Sequence, residues 1–227
     1  EAAAALRDAL GSVKEKLLIG VLNTIGQRRD KDSVAAVAKF LGDADPGVAS
    51  AAATALGKIA GGDATQALAA ARVKAPAPVK PAVTNGYLRC ADQLVSDGKA
   101  AEAAAIFTEL SAAAEPKNIR IAALRGLVVA DSAKALPLIT AALTGDDPEM
   151  QAIATSFVRD MKGGEAVKAF AELLPKLKPG AQALVLAALA DTGDAAARGA
   201  MLGCLKSEDA GVRAAALRGL AKVGAAE

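Results

Sequence analysis

Three observations predict an all-α solenoid of about seven helical hairpins. The first is repetition. DPGVASAAATALGKIA from Asp45 returns as PKNIRIAALRGLVVAD from Pro116, DPEMQAIATSFVRDMK from Asp147 and DAGVRAAALRGLAKVG from Asp209, with a period of about 31 residues between Ile119 and the C-terminus. A period of this size marks stacked supersecondary units rather than a globule around one pocket. The second is composition: 53% of the 227 residues are hydrophobic but only 2% are aromatic. Most of the apolar content is Ala, Leu and Val, helix-forming material whose small side chains let helices approach closely. The third is that no segment carries the alternation of a strand.

Val48 is the natural anchor of the repeat, and the matching positions are Val13 or Lys14, Val79, Ile119, Met150, Ala181 and Val212. The last four are 31 residues apart, whereas Val79 to Ile119 is 40. Apolar residues recur four, seven or eight and eleven positions after each anchor, as in Ala52, Ala55, Leu56 and Ile59. That is one face of an α-helix. A second amphipathic segment precedes most anchored helices: SVAAVAKFLG from Ser33, DATQALAAARV from Asp63, SAKALPLITAALTG from Ser132, EAVKAFAELLPKL from Glu165 and DAAARGAMLGCLKS from Asp194. The expected units are 1–30, 31–62, 63–97, 98–130, 131–162, 163–192 and 193–227, together one solenoid over 1–227.

Local punctuation supports these boundaries. Asp45-Pro46 and Asp147-Pro148 each place a capping oxygen before a proline whose missing N–H costs nothing in a first helical turn. Gly61-Gly62-Asp63, Gly163-Gly164-Glu165 and Gly193-Asp194 read as helix stop, turn and restart. KAPAPVKPA, from Lys74 to Ala82, reads as a longer inter-helix loop. Gly20, Gly57, Gly86, Gly126 and Gly219 sit within helices, where close helix approach is the expected role. AAAAL at the start and RAAALRGLAKVGAAE at the end resemble internal units, so the stack is expected to continue or its ends to pack on something.

The phrase D-P-x-V-x-x-A-A-x-x-A-L-G-x-I, from Asp45 to Ile59 and again from Asp209 to Val223, resembles the bacterial HEAT-like repeat of the phycobilisome-lyase type. The resemblance implies a right-handed superhelix whose anchored helices line the concave side. It also implies a ladder in which the residue after an anchor, often arginine, pairs with an acid three before the anchor of a neighbouring repeat. Arg120 and Arg213 match the arginine, and Asp45, Asp147 and Asp209 match the acid; Ala49, Gln151 and Gln182 depart from it. GKAAEAAAIFTEL, from Gly98, is also similar to the first helix of a tetratricopeptide repeat, although a HEAT unit with a lengthened helix pair explains the 40-residue step as well. The stretch from Lys80 to Ala123 resembles Ala-rich arrays in large exported planctomycete-like and verrucomicrobial proteins, which implies export and, as an alternative function, a structural region of an exported multidomain enzyme.

Chemistry is sparse. There is no histidine, the commonest general base and transition-metal ligand. HEAT-type iron hydroxylases need His-Glu ligand pairs, and Tyr87 alone offers little for stacking a base in a glycosylase-like groove. Bilin-lyase chemistry rests on positioning, and nothing specific favours it. The expectation is a protein that is not an enzyme, with no cofactor. Cys90 and Cys204 should lie about 40 Å apart in a stack of layers roughly 9 Å thick, beyond disulfide reach. Asp43, Asp45, Asp146, Asp147, Asp191, Asp194, Glu208 and Asp209 fall at turns, where they cap helices. A dedicated calcium-loop spacing is absent at Asp146-Asp147 and Glu208-Asp209.

The functional candidates are basic. Lys80, Arg89, Arg120, Arg125, Arg159, Arg213 and Arg218 fall off the core face of the anchored helices. Arg125 and Arg218 share one repeat position, and Lys80, Arg120 and Arg213 share another. Such patches suit an acidic protein segment or a polyanion; pairing with nearby carboxylates is the competing reading. A net charge of +2 gives no reason to expect nucleic acid, and no apolar run is long enough to span a membrane. The expected function is a non-catalytic scaffold that binds a protein partner along the concave face.

Overall fold

The computed structural model describes residues 2–161 and 164–224. Lys162, Gly163 of the Gly163-Gly164-Glu165 turn, Glu1 and the final Ala-Ala-Glu lie outside the described residues. Among the described residues fourteen α-helices alternate as first and second members of seven pairs. The first members are α1 (Ala2–Ala9), α3 (Val34–Ala38), α5 (Gly62–Lys74), α7 (Ala100–Leu110), α9 (Ser132–Thr144), α11 (Gly164–Leu173) and α13 (Arg198–Cys204). The second are α2 (Glu15–Arg28), α4 (Pro46–Ile59), α6 (Lys80–Ser96), α8 (Lys117–Ala130), α10 (Pro148–Asp160), α12 (Pro179–Thr192) and α14 (Ala210–Gly224). No strand occurs among the described residues. The fold is therefore the all-α helical repeat that the periodicity predicts. Residues 1–126 and 127–227 form two compact units.

Each second helix is positioned by its turn chemistry. Asp45 Oδ1 accepts from the Gly47 N–H at 2.7 Å, and Asp147 Oδ1 accepts from the Glu149 and Met150 N–H groups. Asp209 Oδ1 does the same for Val212 at 2.9 Å. Ala60 (φ +56°) ends α4 and Gly193 (φ +68°) ends α12, while Gly61 (φ +88°) is the turn residue from which α5 starts. The proline-rich loop is shorter than expected, running from Ala75 to Val79, because Pro81 fits inside the first turn of α6. The 40-residue step is accommodated by α6, which at 17 residues is three longer than α4, and by the connection from Ser111 to Pro116. Two first helices are shorter than their sequence segments suggest, since 3₁₀ turns flank α3 and precede α13.

Packing corrects the register of the first unit. A Cβ on Gly57 would lie 2.6 Å from the Gly86 Cα, so α4 and α6 cross backbone to backbone. A Cβ on Gly26 would lie 2.7 Å from the Ala55 Cα, and one on Gly219 would lie 3.4 Å from the Ala190 Cβ. In all three crossings the ninth residue after one anchor meets the seventh after the next, provided the first anchor is Leu17. Leu17 is 31 residues before Val48, and α2 starts two residues before it as α4 starts two before Val48. Val13 and Lys14 precede α2 and match only in apolar character or neighbourhood. Gly20 is likewise not a close-approach glycine: nothing lies within 4 Å of a Cβ placed there. Gly26 has that role, hidden until the register is right.

The Arg–Asp ladder implied by the family resemblance is absent from the described residues. In three units the side chain after the anchor caps the preceding turn instead. Gln151 Nε2 donates to the Gly145 carbonyl and Gln182 Nε2 to the Leu174 carbonyl at 2.7 Å. Arg213 Nη1 donates to the Ser207 and Glu208 carbonyls, each at 2.8 Å. Gln therefore fills the role of Arg here, because the task is to satisfy the carbonyls left open at a helix end.

Candidate partner-binding surface

Exposed positions on the second helices collect the cations. Lys80, Arg89, Arg125, Arg159, Arg213 and Arg218 are exposed and Arg120 is half-buried. They divide by what they touch. Arg159 Nε sits 2.9 Å from Asp191 Oδ2, and Lys222 Nζ donates to Asp191 Oδ1 at 2.6 Å, so Asp191 joins α10, α12 and α14. Arg213 is occupied by the turn carbonyls. Lys80, Arg120, Arg125 and Arg218 have no ion-pair partner among the described residues.

Arg89 belongs to a recess on α4 and α6. Two adjoining hollows share Arg89 and Asp92; one is also lined by Thr54 and Asn85, the other by Arg29, Lys58, Gln93 and Ser96. Three cations from three successive second helices thus converge: Arg29 just after α2, Lys58 on α4 and Arg89 on α6. Arg29 and Lys58 stand at the negative ends of their helices, where positive charge is favoured. Asp92 faces them, with its carboxyl held above the usual range because burial outweighs the nearby Arg89. Sequence reading singled out Arg89 but missed Arg29 and Lys58. The signal was there for Lys58, which like Arg89 lies ten residues after its anchor.

The carboxylates split between capping and bridging. Asp45, Asp147, Asp194 and Asp209 cap as expected, and Asp43 accepts from the Asp45 N–H at 2.9 Å. Asp146 instead meets Lys178 Nζ at 2.8 Å, and Asp191 bridges Arg159 and Lys222. Hydrogen bonding from Lys178 and from Lys222, respectively, holds both carboxyls below their ordinary value. Among the described residues no cluster of His, Cys, Asp or Glu could hold a metal.

Tyr87 is unavailable for stacking on a ligand. It is buried beneath the Arg72 guanidinium, whose carbon lies 5.1 Å from the ring centroid. Arg72 Nη1 donates to Glu109 Oε1 and Nη2 to Glu115 Oε1, and the Tyr87 hydroxyl donates to Glu109 Oε2 at 3.3 Å. Burial, then Glu109, pushes Tyr87 up to about 12. Both cysteines are free thiols; burial raises the Cys90 and Cys204 values, so neither is an activated nucleophile.

These features define a helical-hairpin repeat protein with a polar, cation-lined groove. Residues 3–85 match the family model for HEAT repeats, and the rest of the chain continues the same helical-pair architecture. Among solved structures it is similar to the Escherichia coli protein YibA, at 16% identity and a TM-score of 0.50, covering 97% of this chain and 81% of that one. Human deoxyhypusine hydroxylase in complex with glycerol matches at 17% identity and a TM-score of 0.46, covering 99% of this chain and 85% of that one. The complex of CpcE and CpcF of phycocyanin lyase from Nostoc matches at 16% and 0.43, covering 99% and 82%. No curated protein matches the sequence. Two of these structures are of enzymes, so the expectation that the protein is not an enzyme is withdrawn. Among the described residues no helix is long and apolar enough to cross a membrane.

Proposed function

We propose that the protein is an interaction scaffold whose second-helix surface receives an acidic segment of a protein partner. The observation that carries this reading is the convergence of Arg29, Lys58 and Arg89 on one groove, with Asp92 as the one lining carboxylate among the described residues. Guanidinium and ammonium groups spaced along a groove match carboxylates spaced along an extended chain. Lys80, Arg120, Arg125 and Arg218, whose charges are unpaired among the described residues, are assigned to the same role. Arg159 and Arg213 contribute less because each already holds a partner. The even register from Ile119 to Val212 supports reading 1–227 as one array of seven units.

The test uses a fluorescently labelled oligo-glutamate peptide and reads anisotropy. The variant Arg29→Glu, Lys58→Glu, Arg89→Glu is expected to bind at least about tenfold more weakly, a loss of about 1.4 kcal/mol. Affinity for the wild-type chain should fall as salt rises. Unchanged affinity in a variant with normal helicity removes the groove from the proposal, and preferential binding of duplex DNA replaces the partner class.

A further inference from the structure

Within residues 1–126, three like charges crowd into one hollow. Arg29, Lys58 and Arg89 line a space of about 210 Å³. Each stands three residues after a backbone crossing: Arg29 after Gly26, which meets Ala55; Lys58 after Ala55 itself; and Arg89 after Gly86, which meets Gly57. These crossings leave no room for side chains between the helices, so they draw the three cations closer than layers about 9 Å apart would. None of the three has an ion-pair partner among the described residues. Asp92 is the one lining carboxylate there, and a single carboxyl that burial holds above its usual range does not balance three cations. Backbone conformation adds to the cost. Arg29 is left-handed, at φ +51° and ψ +42°, in the helix-end position where glycine fits without strain. An arginine there lowers the stability of the empty fold, and its return lies in what the guanidinium binds.

The grouping of the cations sets what they receive. Carboxylates on an extended chain carry one charge each and lie apart. Three cations turned on one hollow suit a single group of higher charge. A phosphate monoester carries about −1.5 to −2 charge at neutral pH and three strong acceptor oxygens. Two guanidinium forks and an ammonium can share those oxygens, as arginine clusters do in reading phosphorylated motifs. We propose that this hollow receives a phosphorylated serine or threonine of the partner, an inference that rests on the acidic-segment reading of the same groove. Arg29, Lys58 and Arg89 donate to the phosphate oxygens. The adjoining hollow, with Thr54 and Asn85, takes the flanking chain.

Two labelled peptides of equal length and formal charge test this, one of glutamates alone and one with a phosphoserine among glutamates. The wild-type chain is expected to bind the phosphopeptide at least about tenfold more tightly. Arg29→Gly should lose that preference, yet melt about 3 °C higher in phosphate-free buffer because strain and repulsion are relieved. Inorganic phosphate should displace the phosphopeptide and raise the wild-type melting temperature more than chloride does at matched ionic strength. Equal affinity for the two peptides, lost for both in the Arg29→Glu, Lys58→Glu, Arg89→Glu variant, overturns the phosphate and leaves the acidic-segment reading standing. Binding of neither peptide overturns both. A phosphate preference that survives in Arg29→Gly overturns the assignment to this hollow. Stabilisation by inorganic phosphate without any preference for the phosphopeptide overturns the partner and makes the ligand a free anion.

Discussion

The two compact units run on the same repeat and hold their layers differently. In residues 1–126 second helices touch through backbone, at Gly26 against Ala55 and at Gly57 against Gly86, and an ion cluster centred on the buried Arg72 joins α5 to Glu109 of α7 and Glu115 of the connection after it. In residues 127–227 the equivalent positions carry side chains. Phe157 and Ala188 take the seventh position, and a Cβ on Gly219 would meet the Met201 sulfur at 3.0 Å rather than backbone. The layers there are joined at the surface by Asp146 with Lys178 and by Asp191 with Arg159 and Lys222. One period therefore tolerates two solutions to the spacing between helices. The first is rigid and intolerant of volume; the second is adjustable.

The sharpest break in that comparison is steric. Gly86→Val would drive a branched side chain into the Ala53 carbonyl, 2.7 Å from where its Cβ must sit. Backbone cannot yield there without separating α4 from α6, so a loss of about 3 kcal/mol is expected. In a unit of this size that is a fall of roughly 10 °C in melting temperature by circular dichroism. Gly219→Ala should change stability by less than about 1 kcal/mol, because the end of a methionine can move and alanine favours helix over glycine. Equal losses in the two variants would show that the units pack alike.

Next in size is the buried cluster. Arg72 and Glu115 have side chains 9% and 12% exposed, and Arg72 Nε and Glu115 Oε2 find no hydrogen-bond partner. Arg72→Met leaves the Glu115 carboxylate buried without its cation and should cost about 3 kcal/mol. Replacing both, with Glu115→Leu added, should recover much of that loss, which denaturant titration of the two variants would show. Tyr87 reports the same site spectroscopically. Its absorbance near 295 nm should titrate around pH 12 in the folded chain, above the value near 10 of an ordinary tyrosine. Titration near 10 with helicity intact would mean that the ring is not enclosed as described.

What could be read without coordinates follows from which effects are local. The cap at Asp45-Pro46 and the glycine stop at Gly193 are short-range chemistry and fell where expected, whereas α4 stops one residue before Gly61, at Ala60. The helix pairs followed from apolar spacing. The first anchor was misplaced because Leu17 is solvent-exposed, while Val13 offered the apolar residue that pattern matching seeks. Arg72 was missed because an arginine near a helix end looks solvated in sequence, and its partners lie 37 and 43 residues away. The cation groove was half legible: Lys58 and Arg89 share a repeat position, but Arg29 enters from a left-handed residue just past α2. Nothing in the sequence assigns Asp191 to bridging rather than capping, since that depends on two neighbouring helices.

The smallest expected effects are electrostatic, and they have opposite signs in the two units. In residues 1–126, burial raises the Asp92 carboxyl, so the folded chain holds that proton more tightly than the unfolded chain. Its ionisation costs stability as pH rises through the unfolded value of 3.8 and the higher folded one. Asp92→Asn should therefore gain a little at pH 7, less than about 1 kcal/mol, and nothing at pH 3. In residues 127–227, Lys222 and Arg159 lower the Asp191 carboxyl, so its contribution is present above 3.8 and lost as pH falls through the depressed value. Asp191→Asn should lose roughly 0.5 kcal/mol at pH 7, with the deficit shrinking toward acid pH and in high salt. Thermal melts of both variants at the two pH values make the comparison. If Asp92→Asn loses stability at neutral pH, Asp92 is anchoring the groove through Arg89 rather than merely lining it.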